Sequence, residues 1–306
     1  MKSRANITLV QFHSGKPEDT IIDQMKPYFD EAKENGSDLI AFPEYTLGNR
    51  IPLSHPRVQA FMALAREYSM YAVCGLVETH DERWSTTALV VDRQGVLLGR
   101  AYKTHPASGP APHWWPPVDG NDSEARGILG HEFPVFHLDF GTIGILQCYD
   151  GYFPEAFACT SYAGAEIVLW INGRGGMIED AYAITGAQCY GCVVAANVSD
   201  GRNTGFAEPY HRCIEADGER EESRMFPRIR EEGDACVHAE IDMNRLRWTR
   251  KHLRTQHQRR PDLYGMLTQD VKMWQSYPDI PWDRPECANM TNRAQLDAGD
   301  ANADHS

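Results

Sequence analysis

Apolar residues along the chain recur with two different periods, one typical of buried β-strands and the other of amphipathic helices. Short runs of mainly apolar side chains at 7–12 and 38–42 indicate strands, whereas apolar residues within 19–35 and 56–69 follow helical spacing. Gly36 directly follows the first helix as a stop signal. By the same criteria, further strands are predicted at 71–77, 86–92, 96–102, 133–138, 142–147, 166–171, 192–197 and 237–241, and further helices at 155–163, 181–191 and 244–252.

Strands therefore alternate with helices over most of the chain, with a hairpin at the Arg93-Gln94-Gly95 turn, and this order predicts an α/β fold with mixed sheets. Neither an internal repeat nor a break in composition occurs between 7 and 265, which favours a single domain within 1–286. Residues 287–306 are poor in apolar side chains, so we expect a flexible C-terminal tail there. The Pro-, Gly-, His- and Trp-rich segment 104–121 predicts a long loop of the kind that often has a functional role.

The composition favours a globular protein that binds neither nucleic acid nor membrane. The 306 residues are 42% hydrophobic and 24% charged, which is ordinary for a folded domain. The net charge of −13 and the lack of a Lys/Arg-rich run exclude the basic surface that phosphate backbones require. No apolar run approaches the roughly 18 residues of a membrane span. A polar start without a leader and eight scattered cysteines predict a cytoplasmic protein with free thiols.

Three reactive side chains stand at the ends of predicted strands. Cys148 ends the strand 142–147 just before a helix start, where open α/β sheets build sites and where a helix N-terminus can lower a thiol pKa. Glu44 closes the strand 38–42 and suits a partly desolvated base, and Lys103 follows the strand 96–102 and suits a point charge for an oxyanion. Each residue alone also fits an ordinary structural role. Together they predict a nucleophile, a base and a cation in one cleft.

Other reactive side chains have less specific patterns. Cys189 and Cys192 have C-x-x-C spacing, but no second pair of metal ligands lies at a suitable distance in the sequence, so packing in the core is favoured over a metal or redox role. We therefore expect no metal at the active site. The candidates for lining a substrate pocket are His105, Trp114, Trp115 and Asn172.

The motifs around these residues resemble, in order and spacing, those of the nitrilase superfamily of carbon–nitrogen hydrolases from about residue 7 to about residue 266. The segments that carry the resemblance are 38–44, 102–105, 148–155 with 164–166, and 260–264. The resemblance implies a four-layer α-β-β-α sandwich, a catalytic triad of Glu44, Lys103 and Cys148, and an oxyanion contact from the backbone N–H of Tyr149. It also implies that two subunits pair through their helical layers and that the reaction needs no cofactor. Members of the family often have a second active-site glutamate, and Glu124 is the best match to it here.

The residues after the cysteine bear on the substrate. Cys148-Tyr149-Asp150 resembles amidases and carbamoylases, whereas nitrilases typically have Cys-Trp-Glu. The resemblance therefore implies hydrolysis of a small amide or N-carbamoyl compound through a thioester, with release of ammonia or an amine. A nitrilase reaction, an acyltransferase or glutaminase activity on the same fold, and a non-catalytic binding protein are the alternatives. Phe157 and Ala158 stand where members often have an arginine, which suggests an unusual substrate.

Overall fold

Two six-stranded sheets form the centre of the fold in the computed structural model, which describes residues 2–109, 123–209 and 225–271. The strands in these residues are β1 (Arg4–Gln11), β2 (Leu39–Ala41), β3 (Tyr71–His80), β4 (Arg83–Val91), β5 (Leu97–Tyr102), β6 (Val135–His137), β7 (Thr142–Gln147), β8 (Ile167–Met177), β9 (Val193–Arg202), β10 (Gly205–Ala207), β11 (Met225–Arg228) and β12 (Ala235–Asp242). The first sheet has the order β12-β1-β2-β3-β4-β5 and the second has the order β11-β10-β9-β8-β7-β6. Both sheets are mixed, since β1, β2 and β3 run parallel in the first, as do β7, β8 and β9 in the second.

Helices cover the outer face of each sheet. The helices in the described residues are α1 (Ile21–Glu34), α2 (Pro56–Tyr68), α3 (Pro154–Tyr162), α4 (Asp180–Tyr190), α5 (Met243–His252) and α6 (Arg254–His257). The buried residues of α1 are Ile21, Met25, Phe29 and Ala32, and this spacing places them on one side of the helix. Helix α1 packs with α2 on the first sheet, and α3 packs with α4 on the second.

The apolar core lies in three layers because successive side chains of a strand face opposite sides of its sheet. Ile7 and Leu9 of β1 join Ile143 and Ile145 of β7 in the cluster between the two sheets. Val10, the next residue of β1, instead joins the cluster under α1 and α2. A third cluster fills the space between the second sheet and α3 and α4. The fold is thus a four-layer α-β-β-α sandwich, as expected from the resemblance.

The structure extends several of the predicted strands. Strands β8 and β9 continue beyond the apolar runs and pair again at Gly175–Met177 with Asp200–Arg202, after a register shift. Strands β10 and β11 were not predicted. The extensions of β8 and β9 are polar and glycine-rich, and β10 and β11 span only three and four residues, so none of these segments shows an apolar period in the sequence.

The chain divides into two compact units, one made of 1–107 and 124–257 and the other of 108–123 and 258–306. The described part of the second unit contains two short 3₁₀ turns, Pro261–Leu263 and Gly265–Thr268. The predicted tail at 287–306 lies outside the described residues, and the single domain within 1–286 stays a prediction. Across the residues described, no helix is both long and apolar enough to cross a membrane.

Candidate active site

Cys148 occupies a sharp turn at the carboxyl end of β7. Its backbone has a φ of 45°, in the left-handed region that residues with a side chain rarely adopt, and it begins the 3₁₀ turn Cys148–Tyr152. The indole nitrogen of Trp170 donates a hydrogen bond to the carbonyl oxygen of Cys148 over 2.7 Å. A Cβ on Gly151 would lie 2.2 Å from the same ring, so only glycine fits there. The turn therefore depends on both Trp170 and Gly151 to hold Cys148, whose residue surface is 8% exposed.

Glu44 is held just beyond β2 by backbone groups from two neighbouring segments. The backbone N–H of Gly173 donates a hydrogen bond to Glu44 Oε2 over 3.0 Å. A Cβ on Gly75 would lie 2.5 Å from the Cα of Glu44, and one on Gly173 would lie 3.0 Å from its carbonyl oxygen. These glycines allow the strands to approach closely enough to fix a carboxyl group that is only 1% exposed.

Lys103 lies between two buried carboxyl groups. Its Nζ atom is 3.1 Å from Glu44 Oε1 and 2.8 Å from Glu124 Oε1, and the residue is 2% exposed. Glu124 also accepts hydrogen bonds from the hydroxyl of Tyr45 and, over 2.6 Å, from the backbone N–H of Ala107. The structure thus places Glu124, the predicted second glutamate, in direct contact with the predicted catalytic lysine.

Burial and neighbouring charges affect the two carboxyl groups differently. Burial raises the pKa of Glu44, and Lys103 offsets this rise only in part. Burial also acts to raise the pKa of Glu124. The charge of Lys103 and the hydrogen bonds from Lys103 and Tyr45 outweigh that effect, so the pKa of Glu124 is lowered. Glu124 therefore stays ionised, whereas Glu44 accepts a proton more readily and is the better candidate for a base.

The pKa values of Lys103 and Cys148 also differ from the ordinary values of these side chains. Burial alone would lower the pKa of Lys103, but attraction to Glu44 and the other negative groups raises it well above its usual value. Burial and, after it, the charge of Glu44 raise the pKa of Cys148 to about 12, although Lys103 opposes the change. The sequence suggested a lowered thiol pKa from a helix N-terminus. That expectation is wrong, because loss of solvent and the nearby carboxylate dominate, and the resting sulfur is a thiol.

Asp150 joins the cysteine turn to the segment that follows Lys103. Its Oδ2 atom accepts a hydrogen bond from the backbone N–H of Gln147 over 3.0 Å. Its Oδ1 atom accepts from the hydroxyl of Thr104 and from the backbone N–H of His105, each over 2.7 Å. Sequence reasoning used Asp150 only as a mark of substrate class. Its position two residues after the nucleophile, at 2% exposure, identifies it as a structural brace of the site.

The predicted pocket residues have different surroundings. His105 stacks on Phe153 with ring centroids 3.9 Å apart, and its Nδ1 lies 3.0 Å from Asp150. Asn172 is fully buried and donates hydrogen bonds to the carbonyl oxygens of Trp170 and Asn197, so it joins β8 to β9. Tyr149 is 36% exposed. Trp114 and Trp115 lie outside the described residues, and their pocket role stays a prediction.

A second cation near the thiol was not predicted. Arg174 interacts electrostatically with Cys148, pairs with Glu179 over 2.6 Å, and lies over the ring of Tyr152 at 5.5 Å. Tyr152 also donates a hydrogen bond to Glu179 over 2.7 Å. No pattern in the sequence pointed to this group, because the predicted strand ended at residue 171, before the arginine.

A cavity of about 180 Å³ approaches Glu44 from the side of β1 and is also lined by Phe12, Tyr45, Gly173 and Ser199. Lys103 and Cys148 are not part of its described lining. The cavity therefore borders Glu44, whose side chain is closed to solvent, and does not by itself bring a molecule to the thiol.

Comparisons with known proteins identify relatives of this chain and agree with its fold. Residues 6–206 match the family model described as carbon–nitrogen hydrolase. The chain is 29% identical over 239 residues to deaminated glutathione amidase from Homo sapiens, covering 74% of this chain and 70% of that protein. Among solved structures, a carbon–nitrogen hydrolase from Helicobacter pylori G27 has a TM-score of 0.66 at 18% identity and covers 88% of this chain and all of the other. A mutant of the Nesterenkonia AN1 amidase from the nitrilase superfamily has a TM-score of 0.60 at 17% identity and covers 87% and 98%.

Proposed function

The chain belongs to the carbon–nitrogen hydrolase family, and on that premise we propose that it hydrolyses a small amide or N-carbamoyl compound through a thioester on Cys148. It is an amidohydrolase of the nitrilase superfamily. The observation that best supports the proposed catalytic residues is the position of Lys103 Nζ, 3.1 Å from Glu44 Oε1 and in electrostatic contact with Cys148. A base, a cation and a thiol then act on one carbonyl group.

The acylation step begins with a thiol and an ionised carboxylate. As the sulfur of Cys148 attacks the carbonyl carbon, Glu44 takes its proton, so one negative charge moves from carboxylate to substrate oxygen and no net charge is created in the buried site. Lys103 and the backbone N–H of Tyr149 stabilise the oxyanion, and one such donor contributes about 3 kcal/mol in comparable sites. Glu44 then returns the proton to the leaving nitrogen, and ammonia or an amine departs.

The deacylation step uses the same groups in the same roles. Water loses a proton to Glu44 and attacks the thioester carbonyl, and the second oxyanion forms beside Lys103. The carbon–sulfur bond breaks, the acid leaves, and the proton on Glu44 restores the thiol of Cys148. Glu124 does not exchange protons in this scheme. It holds the ammonium of Lys103 in place through their 2.8 Å contact.

A substrate panel tests the proposed reaction class directly. Ammonia release should be measured with primary amides, N-carbamoyl amino acids and nitriles at matched concentrations. We expect turnover of an amide or carbamoyl compound and an acyl mass on Cys148 by intact mass spectrometry during turnover. Turnover of nitriles alone would favour the nitrilase alternative. A panel without turnover and without an acyl adduct would favour a binding protein.

The shifted pKa of Glu44 leads to a prediction about pH. Since burial raises the pKa of Glu44, the base becomes protonated at a higher pH than an ordinary glutamate, whose pKa is about 4.3. With a substrate that does not ionise, kcat/KM should fall on the acid side with a midpoint above that value, and should be flat from there to about pH 9. The flat region follows because the thiol, with a pKa of about 12, is the reactant form throughout. A tenfold rise per pH unit across that region would instead require a preformed thiolate and would contradict the role of Glu44.

Assembly and location are further parts of the proposal. We propose a homodimer that pairs through the outer layer of α3 and α4, where Tyr162 is 40% exposed. Light scattering that gave the mass of a single chain would contradict it. We also propose a cytoplasmic location, which the free thiols of Cys74, Cys148, Cys159, Cys189, Cys192 and Cys236 support and which cell fractionation can test.

A further inference from the structure

A second group of reactive side chains lies away from the active site, between helix α1 and strand β12. Glu31, Cys236 and His238 bring one carboxylate oxygen, one sulfur and one imidazole nitrogen within 4.8 Å of one another. Cys236 and His238 are two residues apart on β12 and therefore share one face of the first sheet. That face is the one under α1, because His238 is paired with Thr8 and Cys236 with Val10 in the β1–β12 register.

From this geometry we propose that Glu31, Cys236 and His238 bind a zinc-class divalent cation that joins α1 to β12. Tetrahedral zinc has bonds of about 2.3 Å to sulfur and about 2.0–2.1 Å to nitrogen, which sets the sulfur–nitrogen separation at about 3.6 Å. The distance from Cys236 Sγ to His238 Nε2 is 3.6 Å. The distance from His238 Nε2 to Glu31 Oε1 is 3.0 Å, against about 3.3 Å around such an ion. The third side, from Cys236 Sγ to a carboxylate oxygen of Glu31, is no longer than 4.8 Å, and a rotation of the exposed Glu31 side chain would complete the ligand triangle.

The other ring nitrogen of His238 has the partner that a metal-binding histidine requires. Its Nδ1 atom lies 2.8 Å from Thr8 Oγ1, and that hydroxyl lies 2.6 Å from Ser37 Oγ. Ser37 and Thr8 are both buried, so this short chain of hydroxyls fixes the ring. With the proton on Nδ1, the lone pair of Nε2 is available to an ion. Metal-ligating histidines commonly have such a second contact, which sets both tautomer and orientation.

The side of the site that has no ligand from Glu31, Cys236 or His238 faces solvent and the side-chain amide of Asn35. The Glu31 side chain is 52% exposed, which gives water access to a fourth ligand position. Asn35, the residue that follows the last residue of α1, has its side-chain amide nitrogen 3.3 Å from His238 Nε2, so its amide also borders the site. Binding would release the thiol proton of Cys236 to solvent, since the thiolate is the ligand form. Sulfur, imidazole and carboxylate together favour zinc or cobalt over magnesium or calcium, which prefer oxygen ligands.

Titration with Co²⁺ tests the proposal, because a cobalt–thiolate bond gives a charge-transfer band that the free ion lacks. The full chain is used with the Cys148→Ala substitution, so that the catalytic thiol cannot contribute. We expect the band to saturate at one equivalent of Co²⁺ and to be displaced by one equivalent of Zn²⁺. Absence of the band, or a band that persists unchanged in a Cys236→Ser variant, would overturn the proposal.

Three further variants separate metal binding from general damage to the fold. Glu31→Gln lies on an exposed helix surface and should weaken Co²⁺ binding at least about tenfold while the unfolding midpoint without metal is unchanged. Thr8→Val should weaken it about 10- to 100-fold by freeing the imidazole of His238. The matched control Cys189→Ser removes an exposed thiol elsewhere and should leave the titration unchanged. Equal affinity in Glu31→Gln and in the unchanged chain would exclude the three-ligand site.

Discussion

Replacement of Cys148 by alanine should reduce kcat on the best amide of the substrate panel by roughly 10⁴-fold or more, as expected when a covalent nucleophile is removed. The thiol is the group that forms and breaks the bond to the acyl carbon, and neither Lys103 nor Glu44 can replace it. The fold should survive, because alanine keeps the Cβ and the backbone of the turn. Ammonia release measures the loss, circular dichroism checks the fold, and intact mass spectrometry should find no acyl adduct.

The matched control for this variant is Cys159→Ala, which removes an exposed thiol from α3 and should retain full turnover. Cys148→Ser is informative as well, since the hydroxyl keeps the hydrogen-bonding capacity of the site but is a much weaker nucleophile with a carboxylate base alone. Turnover in Cys148→Ala above about one per cent of the unchanged chain, with the substitution verified by mass, would rule out a thioester route.

Replacement of Lys103 by methionine should have the second largest effect, because it removes the oxyanion partner and also leaves two buried carboxyl groups without their cation. Turnover should fall by about 10³-fold, the loss associated with a single oxyanion contact. The free energy of unfolding should fall by about 3–5 kcal/mol, as when one partner of a buried ion pair is deleted. Chemical denaturation followed by tryptophan fluorescence measures the second quantity.

A double substitution separates these two effects. In Lys103→Met with Glu124→Gln, one buried carboxylate is neutralised, so part of the lost stability should return while turnover stays low. Equal stability of the single and double variants would show that Glu124 is not held by Lys103. Full recovery of turnover in the double variant would show that Lys103 acts only as a structural partner of Glu124.

The sequence predicted the fold because its strong features are periodic. Thr142–Gln147 was predicted with the observed bounds, and α1 and α2 differ from the prediction by only a few residues at each end. Glu44, Lys103 and Cys148 were predicted as the catalytic residues because each stands at the end of a predicted strand. Convergence was expected from neighbouring strand ends at one edge of a single sheet. That reason was wrong, because Glu44 and Lys103 follow strands of the first sheet and Cys148 follows a strand of the second.

The contacts that stabilise the site could not be predicted from the sequence. Asp150 and Gly173 act on residues 46 and 129 positions away in the chain, and such pairs become visible only when the strands are arranged in space. The direction of the thiol pKa was predicted wrongly for the same reason. A local helix end can be read from neighbouring residues, but burial and the charge of Glu44 cannot.

The proposed catalytic groups are divided between the two sheets, since Glu44 and Lys103 follow strands of the first and Cys148 follows a strand of the second. Neither sheet alone has a complete set of reactive groups. Turnover therefore depends on the packing of the two sheets against each other, through an apolar layer that includes Ile7, Leu9, Ile143 and Ile145. A destabilised variant would lose its chemistry as soon as the two halves slide or separate, even while each half keeps its hydrogen bonds, and inactivation on warming would precede melting.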